Sequence, residues 1–293
     1  MSARPVMVWW RSIRPFSLVC SAVPALFGSV VAGWRRSSVD PAVAALTVAI
    51  AVLLHVITNL TNSLYDWVSG RDKPGSPQAV PILEESPAGV LKVQRSLHIL
   101  TGLILCAAVW FGALTAAPMV IWPLVGYLGG VYYTKPPIAY KHRGWGAAAV
   151  FLLLGLGTPT AAFQAQAGYV DYQAVLTFLP LACLVTAIML ANEIRDHHSD
   201  ARVGSSTLVV RSGTAVGKLL YTASITVPFL VVLANIRWRI LPTASLAVFA
   251  SLPLAGRLFS RVRKGENPGL DLATARLYGL FGLLYTTAVI WAY

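Results

Sequence analysis

Five of the chain's 11 acidic residues lie in two short runs, each at the end of a hydrophobic segment. The first run carries Asp66 and Asp72, and the second carries Glu193, Asp196 and Asp200. Carboxylates beside hydrocarbon are costly unless they pair with cations, coordinate a metal or line a wet cavity. Two such runs in one chain predict a shared site for a cation and a phosphorylated ligand.

The spacing within each run places its polar side chains on one face of a helix. Residues four apart stack on the same helical face. Asn62 should therefore project together with Asp66, and Asn192 should project together with Asp196 and Asp200. The two runs thus repeat one pattern, an asparagine followed four residues later by an aspartate.

Asp72 lies beyond Gly70, where the helix is expected to break, so its side chain can turn back toward the first run. Four aspartates and two asparagines converging from two helices form an oxygen-rich, strongly negative pocket. Such a pocket suits Mg²⁺, which prefers carboxylates, waters and phosphate oxygens, and the missing His/Cys set argues against zinc. We predict Mg²⁺ as the cofactor, with the ligands Asp66, Asp72, Asp196 and Asp200. Alternatively, these acids are loop charges that pair with Arg71 and Arg195.

A segment rich in tyrosine and cations lies between the two acidic runs. Its cations could neutralise a pyrophosphate leaving group, and its tyrosines could face an aromatic or cationic species. Topology-determining charges with interfacial tyrosines would explain the segment almost as well. The candidate residues in it are Tyr132, Tyr133, Lys135, Tyr140, Lys141 and Arg143.

Hydrophobic helices must position these side chains. The chain is 56% hydrophobic and 12% charged, which is far more apolar than an ordinary soluble domain. A membrane span needs about 20 mostly apolar residues. The candidate spans are roughly 15–34, 41–66, 97–115, 118–133, 145–166, 174–194, 216–235, 240–256 and 274–293. We therefore predict one all-α polytopic membrane domain over residues 1–293 with nine transmembrane helices.

The net charge of +12 encodes membrane topology and does not indicate a nucleic-acid partner. With the N-terminus inside and nine spans, 19 of the 23 Lys and Arg residues fall on the cytoplasmic side. This asymmetry follows the positive-inside rule. The acidic runs end the second and sixth spans, so they face the same side. We predict an integral membrane protein with a cytoplasmic active site.

These motifs together resemble the UbiA superfamily of intramembrane prenyltransferases, and most closely its 1,4-dihydroxy-2-naphthoate prenyltransferase branch in menaquinone synthesis. That family has nine transmembrane helices, with Asp-rich motifs on the second and sixth. The resemblance rests on Trp10-Arg11-Ser-Ile-Arg14-Pro15-Phe16-Ser17-Leu18, Asn62-x3-Asp66-x3-Gly70-x-Asp72, Tyr133-Thr-Lys-Pro-Pro, and Asn192-x2-Arg195-Asp196-x3-Asp200-x3-Gly204-x2-Thr207-Leu208-x2-Arg211-x-Gly213.

The resemblance implies Mg²⁺-dependent transfer of an isoprenyl group from a prenyl diphosphate to an aromatic or other lipophilic acceptor in the bilayer of a bacterial inner membrane. The acceptor would be 1,4-dihydroxy-2-naphthoate or a related phenol. The implied catalytic residues are Asp66, Asp196, Lys135 and Tyr133. The implied substrate-binding residues are Asn62, Asn192, Arg71, Lys141, Arg143, Arg195, Tyr132 and Tyr140.

Three positions depart from the resembling sequences. Ser63 and Ala147 each stand where an acid is usual, and Gln78 stands where a basic residue is frequent. The changes put the acceptor in question more than prenyl transfer itself. One alternative is therefore a UbiA-type terpene cyclase, which uses no acceptor. A second, from another class, is a secondary transporter with an acidic ion site at broken helices; the placement of the acids near one membrane face counts against it.

Overall fold

Nearly all of the hydrophobic segments form long helices, as the sequence predicts. The computed structural model describes residues 5–36, 38–75, 79–84, 86 and 88–292, so Gln78 lies outside the described residues. Within these ranges the chain is all-α, and eight helices are long and apolar enough to cross a membrane. They are α1 (Pro15–Arg36), α2 (Pro41–Val68), α3 (Gly89–Leu114), α5 (Gly146–Ala167), α6 (Tyr172–Arg202), α7 (Thr214–Arg237), α8 (Thr243–Lys264) and α9 (Leu270–Trp291), with α4 (Ala117–Tyr132) a shorter apolar helix between α3 and α5.

The helix α4 differs from its neighbours in length. Its first turn, Ala117–Val120, is a 3₁₀ helix, and α-helix follows from Ile121. At 1.5 Å per residue it spans about 24 Å, which is less than the roughly 30 Å of a bilayer's hydrocarbon core. The all-α membrane-type fold is thus confirmed, while the nine-span topology stays a prediction.

The central helix is α6, which packs against α1, α5, α7 and α9. Its inward side chains are apolar, and Phe178 is fully buried. On α9, the Tyr285 hydroxyl donates a hydrogen bond to the Thr177 carbonyl at 3.0 Å. The ring of Tyr285 stacks on Phe27 of α1 with the centroids 4.3 Å apart. These contacts pack three helices against one another over the middle of the fold.

The two helices that carry the acidic runs both begin at an aspartate cap at their far ends. Asp40 Oδ1 accepts hydrogen bonds from the backbone N–H groups of Ala42 and Val43 at 2.8 and 3.1 Å. Asp171 caps α6 in the same way through the N–H of Gln173 at 2.9 Å. Such caps satisfy backbone donors that the first helical turn leaves free. Each acidic run therefore stands at the end of its helix opposite to the cap.

Close backbone contacts join α5 to its neighbours. A Cβ atom added at Gly28 of α1 would lie 2.2 Å from the Pro159 carbonyl oxygen. A Cβ atom added at Gly155 would lie 2.5 Å from the Ala182 Cα atom of α6. Any side chain at either glycine would force the helices apart. Because neither glycine has a side chain, α5 packs closely against α1 and α6.

Candidate active site

A cavity of about 570 Å³ lies between the ends of α2 and α6 that carry the acidic runs. The structure brings all six predicted polar residues of the two runs to its lining. These residues are Asn62, Asp66, Asp72, Asn192, Asp196 and Asp200. The repeated asparagine-to-aspartate spacing therefore produces the convergence that the sequence predicts.

A chain reversal after α2 returns Asp72 to the cavity. The helix ends at Val68, and Gly70 adopts a φ of +75°, in the left-handed region that favours glycine. The Asp72 N–H then donates a hydrogen bond to the Asp66 carbonyl at 2.9 Å. The predicted break at Gly70 is thus the feature that places a second carboxylate beside the first.

Asp66 is buried and is held by two side chains from one loop. Lys141 Nζ lies 3.0 Å from Asp66 Oδ2 and donates to Asn62 Oδ1 at 2.8 Å. His142 Nε2 lies 3.0 Å from Asp66 Oδ1, and His142 Nδ1 is hydrogen-bonded to Ser205 Oγ at 2.8 Å. Burial lowers the pKa of His142, while the Asp66 carboxylate opposes that shift. The loop therefore supplies one lysine and one histidine to the first acidic run.

At the second run, one arginine joins two carboxylates. Arg195 donates to both carboxylate oxygens of Asp196 at 2.8 and 2.7 Å. Its remaining terminal nitrogen lies 2.5 Å from Asp271 Oδ2 at the start of α9. A planar guanidinium suits such two-point binding of a carboxylate. The Arg195 ion pairs connect α6 to α9 at the wall of the cavity.

The carboxylates lie near enough to repel one another. Burial raises the pKa of Asp72, and the negative charge of Asp66 raises it further. Burial lowers the pKa of the Arg14 guanidinium, while the negative charges of Asp72 and Asp66 raise it and partly offset that effect. A site of this kind favours ligands that bring positive charge between the acids.

Most of the predicted binding residues face the cavity, but three do not. The lining includes Arg71, Tyr133, Tyr140, Lys141 and Arg195, as well as both acidic runs. The three others are Tyr132, Lys135 and Arg143.

The three exceptions have a geometric explanation. Tyr132 directly precedes Tyr133 at the end of α4, and its side chain points about 100° away from that of Tyr133, outside the lining. Arg143 is exposed and donates to the Pro137 carbonyl at 2.6 Å. Lys135 lies in a turn, where its backbone carbonyl accepts a hydrogen bond from the Ala139 N–H, and it does not line the cavity. Their predicted substrate contacts are not supported by this placement.

Some charged or ionisable residues in the lining have no role in the sequence-based site, and among them are Arg14, His142, Glu193 and Asp271. Glu193 stands within the second acidic run, and His142 follows Lys141, so their positions offered a local signal. Arg14 and Asp271 lie far from both runs along the chain, and only tertiary packing brings them in.

The cavity changes character away from the acids. There its lining includes Leu54 of α2, three glycines of α4 and Leu153 of α5; the glycines are Gly126, Gly129 and Gly130. A Cβ atom added at Gly126 would lie within 3 Å of the Leu54 side chain, and one added at Gly129 would lie within 3 Å of the Leu153 side chain. A smaller cavity of about 70 Å³ adjoins this part and shares both leucines in its lining. The site thus has an acidic end and an apolar extension.

Within the described residues, no group of three or more His, Cys, Asp or Glu side chains is arranged to hold a metal ion by itself. The acids approach from two sides of the cavity instead. A divalent cation bound here would need further oxygen ligands from water or from a bound phosphate group.

Membrane-length helices around an acid-lined cavity with an apolar extension define an integral membrane protein with an amphipathic internal site. The model of the UbiA prenyltransferase family matches residues 21–291. The 1,4-dihydroxy-2-naphthoate octaprenyltransferase of Mycobacterium tuberculosis (strain ATCC 25618 / H37Rv) is 30% identical over 294 residues, covering 96% of this chain and 94% of the relative. The UbiA prenyltransferase domain-containing protein 1 of Gallus gallus is 29% identical over 290 residues, covering 96% and 84%. The chain belongs to the UbiA prenyltransferase family and is a prenyltransferase.

Solved structures share the fold. A UbiA homologue from Archaeoglobus fulgidus bound to DMAPP and Mg²⁺ has a TM-score of 0.65 at 12% identity, covering 97% of this chain and 98% of that chain. The same homologue bound to GPP and Mg²⁺ has a TM-score of 0.65 at 14% identity, covering 97% and 99%. At such low identity the likeness establishes the architecture, and the roles of individual residues must be argued from this chain.

Proposed function

We propose that this protein transfers an isoprenyl group from a prenyl diphosphate to an aromatic or other lipophilic acceptor, with Mg²⁺ as cofactor. The observation that carries the proposal is the pairing of an acidic, cation-flanked end of the cavity with an apolar extension. A prenyl diphosphate has matching parts, a charged head and a hydrocarbon tail. The solved homologue structures with DMAPP or GPP and Mg²⁺ support the same donor class.

The donor set fits Mg²⁺. Asp66 and Asp72 face the cavity from one side, and Asp196 and Asp200 face it from the other. Because Mg²⁺ is usually held by one or two carboxylates together with waters and substrate phosphates, the missing all-protein cage suits a cation that binds with its substrate. Bound Mg²⁺ would neutralise the diphosphate oxygens and favour departure of the leaving group. Asn62 and Asn192 are positioned to orient these ligands.

The chain's own cations would stabilise the leaving group. Lys141, Arg71 and Arg195 face the same end of the cavity as the acids. As the bond between the allylic carbon and the diphosphate oxygen breaks, its electron pair goes to the oxygen, and preorganised positive charge is most useful at that moment. Lys141 Nζ also lies 5.8 Å from the centroid of the Tyr133 ring. The π-face of Tyr133, which lines the same cavity, would stabilise positive charge that develops on the allylic carbon.

The proposal predicts product formation by the purified protein. Wild-type protein with Mg²⁺ and geranyl diphosphate should prenylate at least one phenolic acceptor, of which 1,4-dihydroxy-2-naphthoate and 1,4-dihydroxynaphthalene are the first to test. Excess chelator should abolish product, and added Mg²⁺ should restore it. Product analysis by mass spectrometry, with and without acceptor, separates transfer from cyclisation of the donor. Full activity in chelator would contradict the metal role, and a cyclic hydrocarbon formed with or without acceptor would favour the cyclase alternative.

We also propose that the active site faces the cytoplasm of a bacterial inner membrane, because 19 of the 23 Lys and Arg residues fall on that side in the nine-span topology. Single cysteines at Gly265, which follows α8, and Trp238, which follows α7, test this in a background without native cysteines. In intact cells, an impermeant maleimide should label position 238 and should spare position 265 until the membrane is permeabilised. The reverse pattern would invert the topology.

A further inference from the structure

Glu193 is a buried carboxylate with one oxygen that lacks a partner. It is 2% exposed and lies in the lining of the cavity. Glu193 Oε2 accepts a hydrogen bond from the Val209 N–H at 3.0 Å, but Oε1 is buried without a hydrogen bond. Leaving a buried acceptor unpaired is costly, and more so for a charged group. The geometry therefore calls for a donor that arrives with a ligand.

The free oxygen lies beside an aromatic and thioether wall. A Cβ atom added at Gly146 would lie 3.3 Å from Glu193 Oε1 and 3.2 Å from Met189 Cε. The Tyr133 hydroxyl donates to Met189 Sδ at 3.0 Å. Burial raises the pKa of Tyr133, and the nearby Glu193 carboxylate raises it further. Gly146 therefore packs closely against Glu193 and Met189, and Tyr133 joins this group through its hydrogen bond to Met189.

A second buried polar atom in the cavity lining also lacks a partner, and it belongs to a residue two positions before Val209. Thr207 is fully buried and lines the cavity, and its Oγ1 has no hydrogen bond. Neither Glu193 nor Thr207 is needed for the diphosphate-binding arrangement, which uses the aspartates and the cations. Two unsatisfied polar atoms in the lining of one cavity, one of them near a flat ring and a polarisable sulfur, suit an aromatic molecule that carries a hydroxyl group.

We propose that Glu193, Thr207, Tyr133 and Met189 form the acceptor subsite, and that Glu193 Oε1 accepts a hydrogen bond from a hydroxyl of the aromatic acceptor. This inference rests on the proposed prenyl transfer and identifies the residues that select its acceptor. Position 147, where the resembling branch usually has an acid, is a buried alanine that does not line the cavity. Glu193 supplies a carboxylate next to that position from α6 instead.

The acceptor's ring carbon forms a bond to the allylic carbon, while the carbon–oxygen bond to diphosphate breaks and its electron pair leaves with the pyrophosphate. The acceptor's hydroxyl proton passes to Glu193 Oε1, which gives a ketone in the ring. The substituted ring carbon then loses its hydrogen as a proton. Glu193 returns its proton to the ketone oxygen, and the phenol is restored. One pyrophosphate and one proton are released overall.

A carboxylate at this position also shapes specificity. A second carboxylate on the acceptor would be repelled by Glu193, and this repulsion is strong where water is scarce. We therefore expect 1,4-dihydroxynaphthalene to be a better acceptor than 1,4-dihydroxy-2-naphthoate, although the two rings are otherwise alike.

The decisive variant is Glu193→Gln. Its amide oxygen can still accept from the Val209 N–H, so the backbone contact is kept, while an N–H₂ donor replaces the free acceptor oxygen. We expect the KM for 1,4-dihydroxynaphthalene to rise about tenfold, because the variant loses one hydrogen bond to a charged group and such a bond contributes a free energy of about that size. The KM for geranyl diphosphate should stay within twofold. The control is Glu266→Gln, which makes the same carboxylate-to-amide change at an exposed position after α8.

The ratio of catalytic efficiencies for the two acceptors tests the repulsion directly. Glu193→Gln should raise the efficiency for 1,4-dihydroxy-2-naphthoate relative to 1,4-dihydroxynaphthalene at least fivefold, a change that a purely structural role of Glu193 would not produce. An unchanged acceptor KM and ratio would show that Glu193 merely holds Val209. An equal rise in the donor KM would place its action at the diphosphate. A wild-type protein that binds geranyl diphosphate but prenylates no phenolic acceptor would contradict the proposed function, and this inference with it.

Discussion

Asp66→Asn and Asp196→Asn are each expected to lower turnover at least tenfold, which corresponds to about 1.4 kcal/mol in the activation barrier. Asparagine keeps the size of the side chain but loses its negative charge. Asp66 and Asp196 face the cavity from different helices, so each variant removes one side of the proposed cation site. Asp66→Asn also removes the negative charge that pairs with Lys141, and Asp196→Asn removes one that pairs with Arg195.

The measurement is the initial rate of prenyl transfer at several Mg²⁺ concentrations. A variant that has lost a metal ligand should need more Mg²⁺ to reach half of its maximal rate. Asp40→Asn is the matched control, because Asp40 caps the far end of α2 and asparagine caps helices as well as aspartate does. Undiminished turnover in both site variants, or an equal loss in the control, would contradict the metal-binding role.

The fold could be predicted from sequence because its main determinants are local. Long apolar runs select helices, and the acids are too few and too clustered for a soluble surface. The helix α4 shows the limit of this approach. The helix Ala117–Tyr132 matches the predicted stretch 118–133 to within one residue, but it is shorter than the roughly 20 residues of a span, so apolarity alone does not decide whether it crosses the membrane.

The acidic part of the site was equally predictable, because helical periodicity and a glycine break act over a few residues. The loop between α4 and α5 was not. Its direction depends on turns at which Ala139 adopts a φ of +41° and Gly144 a φ of +84°, so sequence did not reveal which of its cations face the cavity. Lys141 reaches Asp66, whereas Lys135, six residues earlier, does not line the site.

Long-range packing is the other part that sequence patterns missed. Asp271 at the start of α9 reaches the cavity through Arg195, and nothing near it in the sequence resembles the acidic runs. Glu193 is adjacent to Asn192, yet a rotation of about 100° along α6 gives it a different set of neighbours. Its role becomes visible only once Gly146 and Tyr133 are placed beside it.

Lys141→Met is expected to reduce turnover by about 10²- to 10³-fold, the usual effect of removing one preorganised group that stabilises charge in a transition state. Methionine keeps most of the length of the side chain and removes its charge. Lys135→Met is the matched control from the same loop and should stay within twofold of wild type, since Lys135 does not line the cavity. The pair therefore separates a specific contact from the general basic charge of the loop.

The two kinds of variant should move Mg²⁺ affinity in opposite directions. Lys141 Nζ lies 3.0 Å from Asp66 Oδ2, so its removal leaves the acidic cluster more negative and should tighten Mg²⁺ binding even as turnover falls. Asp66→Asn should weaken Mg²⁺ binding as turnover falls. Titration of the rate with Mg²⁺ distinguishes these outcomes. If Lys141→Met needed more Mg²⁺ than wild type, or lost no more turnover than Lys135→Met, then Lys141 would serve to order the loop and would not stabilise the departing pyrophosphate.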